Sequence, residues 1–183
     1  MWEEVKKIWP EIEWIEDEEL KEKVYQTWDY ALQQSVLSAD DLLEIPFTLL
    51  IEDCHVTFME HKRAVVHIAV ESARAIQRFF GEQFPINMDY LIAGAILIDV
   101  GKLIEYELQD GQAVVGKTGK LLRHPFTGVA LAMRFGVPDE VCHMIAAHSK
   151  EGNLGRRTPE SWIIHHADFM SYEPLRPETL RLD

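Results

Sequence analysis

The sequence predicts an all-α fold with at most a short β-hairpin near residues 109–120. Three observations carry this. Apolar residues recur at helical spacing along most of the chain, segments of strict apolar–polar alternation are missing, and one stretch alone, QDGQAVVGKTGK, gathers three glycines.

Taken in order, the elements read as helix after helix. The opening MWEEVKKIWPEIEW is acidic, and Trp2, Trp9 and Trp14 are expected to anchor it on the core. Residues 16–37 place Leu20, Val24, Trp28, Ala31, Leu32 and Val36 at helical spacing, with acidic residues in the first turn, where the helix dipole favours them. Ile45-Pro46 stops a short segment after it, because a residue before proline is pushed out of the helical region. A long helix is predicted over 57–80, with Val65, Ala69, Ala73 and Ile76 on one face and Gly81 as its stop. Asn87 or Asp89 caps the next helix, DYLIAGAILIDVGKLIEYEL, whose middle is apolar all round and therefore buried. Helices resume over 125–135 and 138–149, and a loop covers 150–157. Thr158 then caps a last helix with Pro159 at its first position.

Length and composition fit one globular domain over 1–183. It comprises acidic N-terminal helices (1–54), a core (55–172) and a tail (173–183). No apolar run approaches the roughly 18 residues a bilayer span needs. The acidic N-terminus lacks the basic flank and apolar stretch of a signal peptide, so a cytoplasmic setting is expected. Cys54 and Cys142 have no paired spacing and read as reduced, mostly buried thiols. The net charge of −13 argues against a nucleic-acid polymer as partner. That charge is uneven. Residues 1–60 carry 16 acidic and 4 basic side chains, whereas 61–183 carry 15 and 14. Within the second part, Lys117, Lys120, Arg123, Arg134, Lys150, Arg156 and Arg157 face only Asp139, Glu140 and Glu151, a local excess that can attract a small anion.

Several ionisable residues interrupt apolar helical segments, where charge is costly unless paired or bound to metal. Asp99 directly follows AGAILI. Asp168 follows WIIHHA and shares a helix face with His165. His148 ends MIAAH, and His124 precedes Pro125 at a helix start. Singly, each is a hydrogen-bonded core group or a cap. Together they offer the imidazole and carboxylate ligands that iron, manganese and zinc prefer.

The order of these residues resembles the HD superfamily of metal-dependent phosphohydrolases. In that family an early His is followed by a His-Asp pair, further histidines and a final Asp. The matching stretches are Glu60-His61, IDVGK at 98–102, LLRHP ending at Pro125, AAHS ending at Ser149 and HHAD at 165–168. The resemblance covers about residues 55–172 and is greatest to the branch that includes archaeal dihydroneopterin cyclic-phosphate phosphodiesterase. It implies an all-α HD bundle that binds a divalent ion (iron, manganese, magnesium or zinc) and hydrolyses a phosphomonoester or phosphodiester of a nucleotide or related small metabolite. His61, Asp99 and Asp168 are implied as ligands of a first ion. In two-metal members Asp99 would bridge to a second ion held by His124 and His148. Lys102, one turn after Asp99, is implied beside that carboxylate or the substrate phosphate. Arg123, Lys150, Arg156 and Arg157 are further phosphate candidates. No membrane is implied as a partner, and a homo-oligomer is compatible with all of this.

The chain departs from the family at the name-giving pair, where Ile98 precedes Asp99. Isoleucine offers no lone pair. The alternative function is therefore a pseudo-enzyme that holds a metal or an anion without turnover, and a third reading is a helical interaction protein docking a partner through its acidic N-terminal region. On the sequence alone, Ile98→His is expected to raise metal affinity by restoring an imidazole beside Asp99.

Overall fold

A computed structural model describes residues 2–176; the remainder of the expected tail, 177–183, lies outside the described residues. Helices begin where side chains satisfy the free N–H groups of a first turn. After α1 (Glu3–Ile8) and a 3-10 turn (Pro10–Trp14), Asp17 accepts from the backbone N–H groups of Glu19 and Leu20 and starts α2 (Glu18–Gln34). Thr57 and Glu60 close a reciprocal capping box on α3 (Phe58–Phe80), so Glu60 serves the helix start. Gly81 ends α3 at φ +58°, a conformation that favours glycine. Asn87 caps α4 (Met88–Leu97) by accepting from the Tyr90 N–H. Asp89 instead accepts the backbone N–H groups of Glu16 and Asp17, which ties the start of α2 beside the start of α4.

The single helix expected across 89–108 is divided. After Leu97 the chain turns through 98–101 and forms α5 (Lys102–Glu105). It then enters a hairpin of β1 (Tyr106–Gln109) and β2 (Gln112–Val115), paired in antiparallel register with Tyr106 opposite Val115. Asp110 and Gly111 both have positive φ, the two-residue turn whose twist matches the strands. The hairpin thus begins earlier than 109, and α6 (Lys117–Leu121) takes the second half of the expected loop. The break has a packing reason at Gly101. A Cβ there would stand 2.1 Å from the His124 carbonyl oxygen and 2.7 Å from the Gly128 nitrogen. The turn therefore presses directly on α7 (His124–Arg134).

The remaining elements are α8 (Asp139–Ala147), a 3-10 turn (Lys150–Leu154) and α9 (Pro159–Tyr172), the last capped by Thr158 with Pro159 in its first turn. One continuous core runs from Val5 to Ala167. The middle of α4 lies at its centre, and Gly94 admits α8 and α9, since a Cβ there would meet Met144 Sδ at 2.5 Å and Ile164 Cδ1 at 3.0 Å. Trp28 of α2 donates its Nε1–H to the Ile96 carbonyl at 3.3 Å, covering a free acceptor at the C-terminal end of α4. Trp9 is fully buried against Trp28, and Trp2 stacks on Tyr25 at 5.0 Å. Trp14 anchors less than expected; it stays 41% exposed, edge-on to His67. Among the described residues, no helix is long and apolar enough to cross a membrane.

Gly101→Ala is expected to cost about 1–3 kcal/mol, the range for overpacking a filled interior, because the new methyl must displace the backbone of α7. A fall in the midpoint of chemical denaturation checks this, and an unchanged midpoint would show that the turn has room to move.

Candidate metal centre

Five elements each deliver one residue to a common cavity of about 460 Å³. His61 comes from the first turns of α3, Asp99 from the turn after α4, and His124 from the first position of α7. His148 stands just past α8, and Asp168 lies in α9. All five line the cavity. His61, Asp99, His124 and His148 are buried, while Asp168 keeps a partly exposed carboxylate.

Asp99 divides the site, because its two oxygens meet different partners. On one side Oδ1 lies 3.1 Å from His124 Nε2 and 3.7 Å from His148 Nε2, and the two imidazole nitrogens are 3.2 Å apart. The far side of each ring decides which nitrogen carries hydrogen. His148 Nδ1 is 2.8 Å from the Ile145 carbonyl, which can only accept, so Nδ1 donates and Nε2 is the nitrogen left for a ligand. His124 Nδ1 donates to Glu105 Oε2 at 3.1 Å, which leaves its Nε2 in the same state. Burial lowers the His124 pKa against the opposing pull of Asp99 and Glu105, and this keeps the ring neutral. Glu105 is itself buried, which would raise its pKa, but hydrogen bonds from His124 hold it below the ordinary glutamate value. No donor among the described residues reaches Asp99 Oδ1. Three possible ligand atoms therefore converge on one point.

That arrangement suits a cation. Ligand atoms around an ion at bond lengths of about 2.0–2.2 Å stand roughly 3.0–3.6 Å apart, close to the separations here. Asp99, His124 and His148 are the one such ligand cluster found among the described residues. Glu105 completes it from behind, holding the His124 ring by Nδ1 and the His124 backbone N–H at 2.8 Å.

The other side of Asp99 is different. Its Oδ2 forms an ion pair with Lys62 Nζ and lies 3.4 Å from Lys102 Nζ. Lys62 Nζ also donates to Asp168 Oδ1 at 3.0 Å, and the same oxygen takes a hydrogen bond from His61 Nε2 at 3.1 Å. Burial and the adjacent Lys62 charge push the His61 imidazole down to about 4, so it is neutral and donates through Nε2. Its ring stacks on Phe47 at 3.9 Å, and its Nδ1 faces the Ser171 hydroxyl at 3.3 Å. Burial would raise both carboxyls. The ammonium groups of Lys102 and Lys62 instead hold Asp99 well below the usual carboxylate range, and Lys62 does the same for Asp168.

The basic candidates separate. Lys102 faces Asp99 and donates to the Phe47 carbonyl at 3.1 Å, and it lines the cavity together with Arg123 and Lys150. Arg123 is engaged by Glu151 at 3.2 Å. Arg156 is exposed and Arg157 half-buried, and neither lines the cavity. Arg157 is spent on the carbonyls of Ala147 and Ser149, closing the C-terminal end of α8. Sequence reasoning missed Lys62 and Glu105. Lys62 did leave a signal, since it stands four residues after Phe58 and three before Val65, on the apolar stripe of α3.

The HD domain family model matches residues 58–172. A dihydroneopterin 2',3'-cyclic phosphate phosphodiesterase of Methanocaldococcus jannaschii is 30% identical over 111 residues, which is 60% of this chain and 44% of that protein. A ribonuclease Y of Fervidobacterium nodosum is 30% identical over 115 residues, 63% of this chain and 19% of that protein. The matches thus cover less than half the length of either curated relative. No solved structure matches the chain significantly.

Glu105→Gln should weaken divalent-metal binding by about 10–100-fold, as loss of a carboxylate behind a ligand imidazole does elsewhere. Calorimetric titration with manganese measures it, and an unchanged affinity would remove His124 from the ligand set.

Proposed function

Because the chain belongs to the HD domain family, we propose that it is a metal-dependent phosphohydrolase acting on a phosphomonoester or phosphodiester of a nucleotide or related small metabolite. The observation that carries this reading is the convergence of Asp99 Oδ1, His124 Nε2 and His148 Nε2, with Oδ1 lacking a hydrogen-bond partner among the described residues. Two imidazoles beside one carboxylate suit iron, manganese or zinc better than magnesium. A divalent ion bound there supplies a Lewis acid that acidifies water and neutralises charge on phosphoryl oxygens.

The chain's own residues account for the rest. Lys62 and Lys102 place fixed positive charge beside Asp99 on the cavity wall, and Arg123 and Lys150 extend it toward the mouth, where an anionic phosphate is drawn in. Phe47, Phe169 and Tyr172 add aromatic surface for the organic part of a substrate. The cavity volume falls in the range of about 300–1,000 Å³ typical of small-molecule sites, which together with the net charge of −13 favours a small phosphorylated substrate over a polymer. One observation favours the alternative of binding without turnover: Lys62 engages both carboxylates implied as ligands of a first ion.

The test is to measure metal in protein purified without chelator, and then turnover of a generic phosphodiester with added manganese. Asp99→Asn should bring both to background while the far-ultraviolet circular dichroism stays helical. Asp99→Ala should also lose about 3–5 kcal/mol of stability, since it leaves Lys62 buried with one fewer counter-charge. Bound metal without turnover would select the pseudo-enzyme, and unchanged metal content in Asp99→Asn would refute the centre.

A further inference from the structure

Lys62 occupies the position where the family resemblance implies a first metal ion. Its Nζ bonds to Asp99 Oδ2 and, at 3.0 Å, to Asp168 Oδ1, and its side chain is 1% exposed. His61, the third implied ligand, spends its Nε2–H on Asp168 Oδ1. An ion bound to the same two carboxylate oxygens would have to displace the ammonium nitrogen that bridges them. The residue before Asp99 adds nothing to such an ion, because Ile98 is fully buried and has no donor atom. On the other side of Asp99, Oδ1 has no hydrogen-bond partner among the described residues and converges with the His124 and His148 Nε2 atoms. With an ion bound, the two oxygens of one carboxylate would serve two different cations.

From this geometry we infer that the protein is a single-ion centre in which the Lys62 ammonium permanently replaces the first of the two ions, the one between Asp99 and Asp168. The inference rests on the metal-centre reading given above and narrows it. Lys62 supplies one positive charge that no chelator removes, while the exchangeable ion is confined to Asp99, His124 and His148. Ile98→His alone then does not rebuild a first metal site, contrary to what the sequence suggests, because the ammonium still holds both carboxylates.

The experiment counts manganese per chain by calorimetric titration and elemental analysis, and reads the electron paramagnetic resonance of the bound ions. The wild-type chain is expected to take one equivalent with the six-line spectrum of an isolated ion, and Ile98→His also one. Lys62→Met/Ile98→His is expected to take two, with the broadened spectrum of a coupled pair. Two equivalents in the wild type would overturn the inference and leave the metal-centre reading standing, whereas none would overturn both. A double variant that is folded by circular dichroism yet still takes one would show that the ammonium is not what excludes the second ion. If that variant does not fold, one equivalent in both the wild type and Ile98→His supports the inference, and two in either overturns it.

Discussion

The site depends on one constraint: Asp99 is a carboxylate buried at 2% exposure, and everything around it answers that charge. An anion removed from water is tolerated only when cations or donors surround it. Here the two oxygens are answered separately. Lys62 and Lys102 neutralise Oδ2, whereas Oδ1 faces the imidazoles of His124 and His148. The same residue is therefore a stable element of the interior on one side and an unsatisfied ligand on the other. Glu105 sharpens the contrast, since it commits the His124 proton to the far face of the ring and keeps Nε2 bare.

The fold places this charge just past the buried C-terminal end of α4. Every residue from Leu91 to Leu97 is buried, so a carboxylate within the helix would have no approach from solvent. At 98–101 the helix gives way to a turn, and the turn meets the start of α7 where Gly101 allows the backbones to touch. His124 stands at that contact. His148 follows the end of α8, and its backbone carbonyl accepts from His165 Nδ1, which joins the α8 end to α9, the helix that bears Asp168. The chemistry gathers at helix ends and turns, where side chains have both rigid support and access to a cavity.

What the sequence made legible was local. Gly81, Thr158-Pro159 and, of the pair Asn87 or Asp89, Asn87 are decided within a few residues of themselves, and the structure shows each as a cap or stop. The family match and the two-stranded hairpin likewise follow the reading, although the hairpin starts at Tyr106. The break in α4 was hidden because an all-apolar segment has no periodic phase to lose. Lys62 was hidden for a different reason. Its partner Asp168 is 106 residues away, and one lysine on an apolar stripe resembles any long side chain reaching for solvent. Charge counting likewise grouped Arg157 with Lys150, though carbonyls at the end of α8 absorb the guanidinium of Arg157.

The contact between Trp28 and the Ile96 carbonyl has a consequence for synthesis. It spans 68 residues, and the Asp89 contacts to Glu16 and Asp17 span 73 and 72. Elongation proceeds at roughly 5–20 residues per second, so the apolar face of α2 waits on the order of 3–14 seconds for the segment that covers it. During that interval Val24, Trp28 and Ala31 have no lasting partner from α4. The dense acidic charge of the first sixty residues lies on the same stretch, and like charge disfavours association between chains whose α2 is still uncovered.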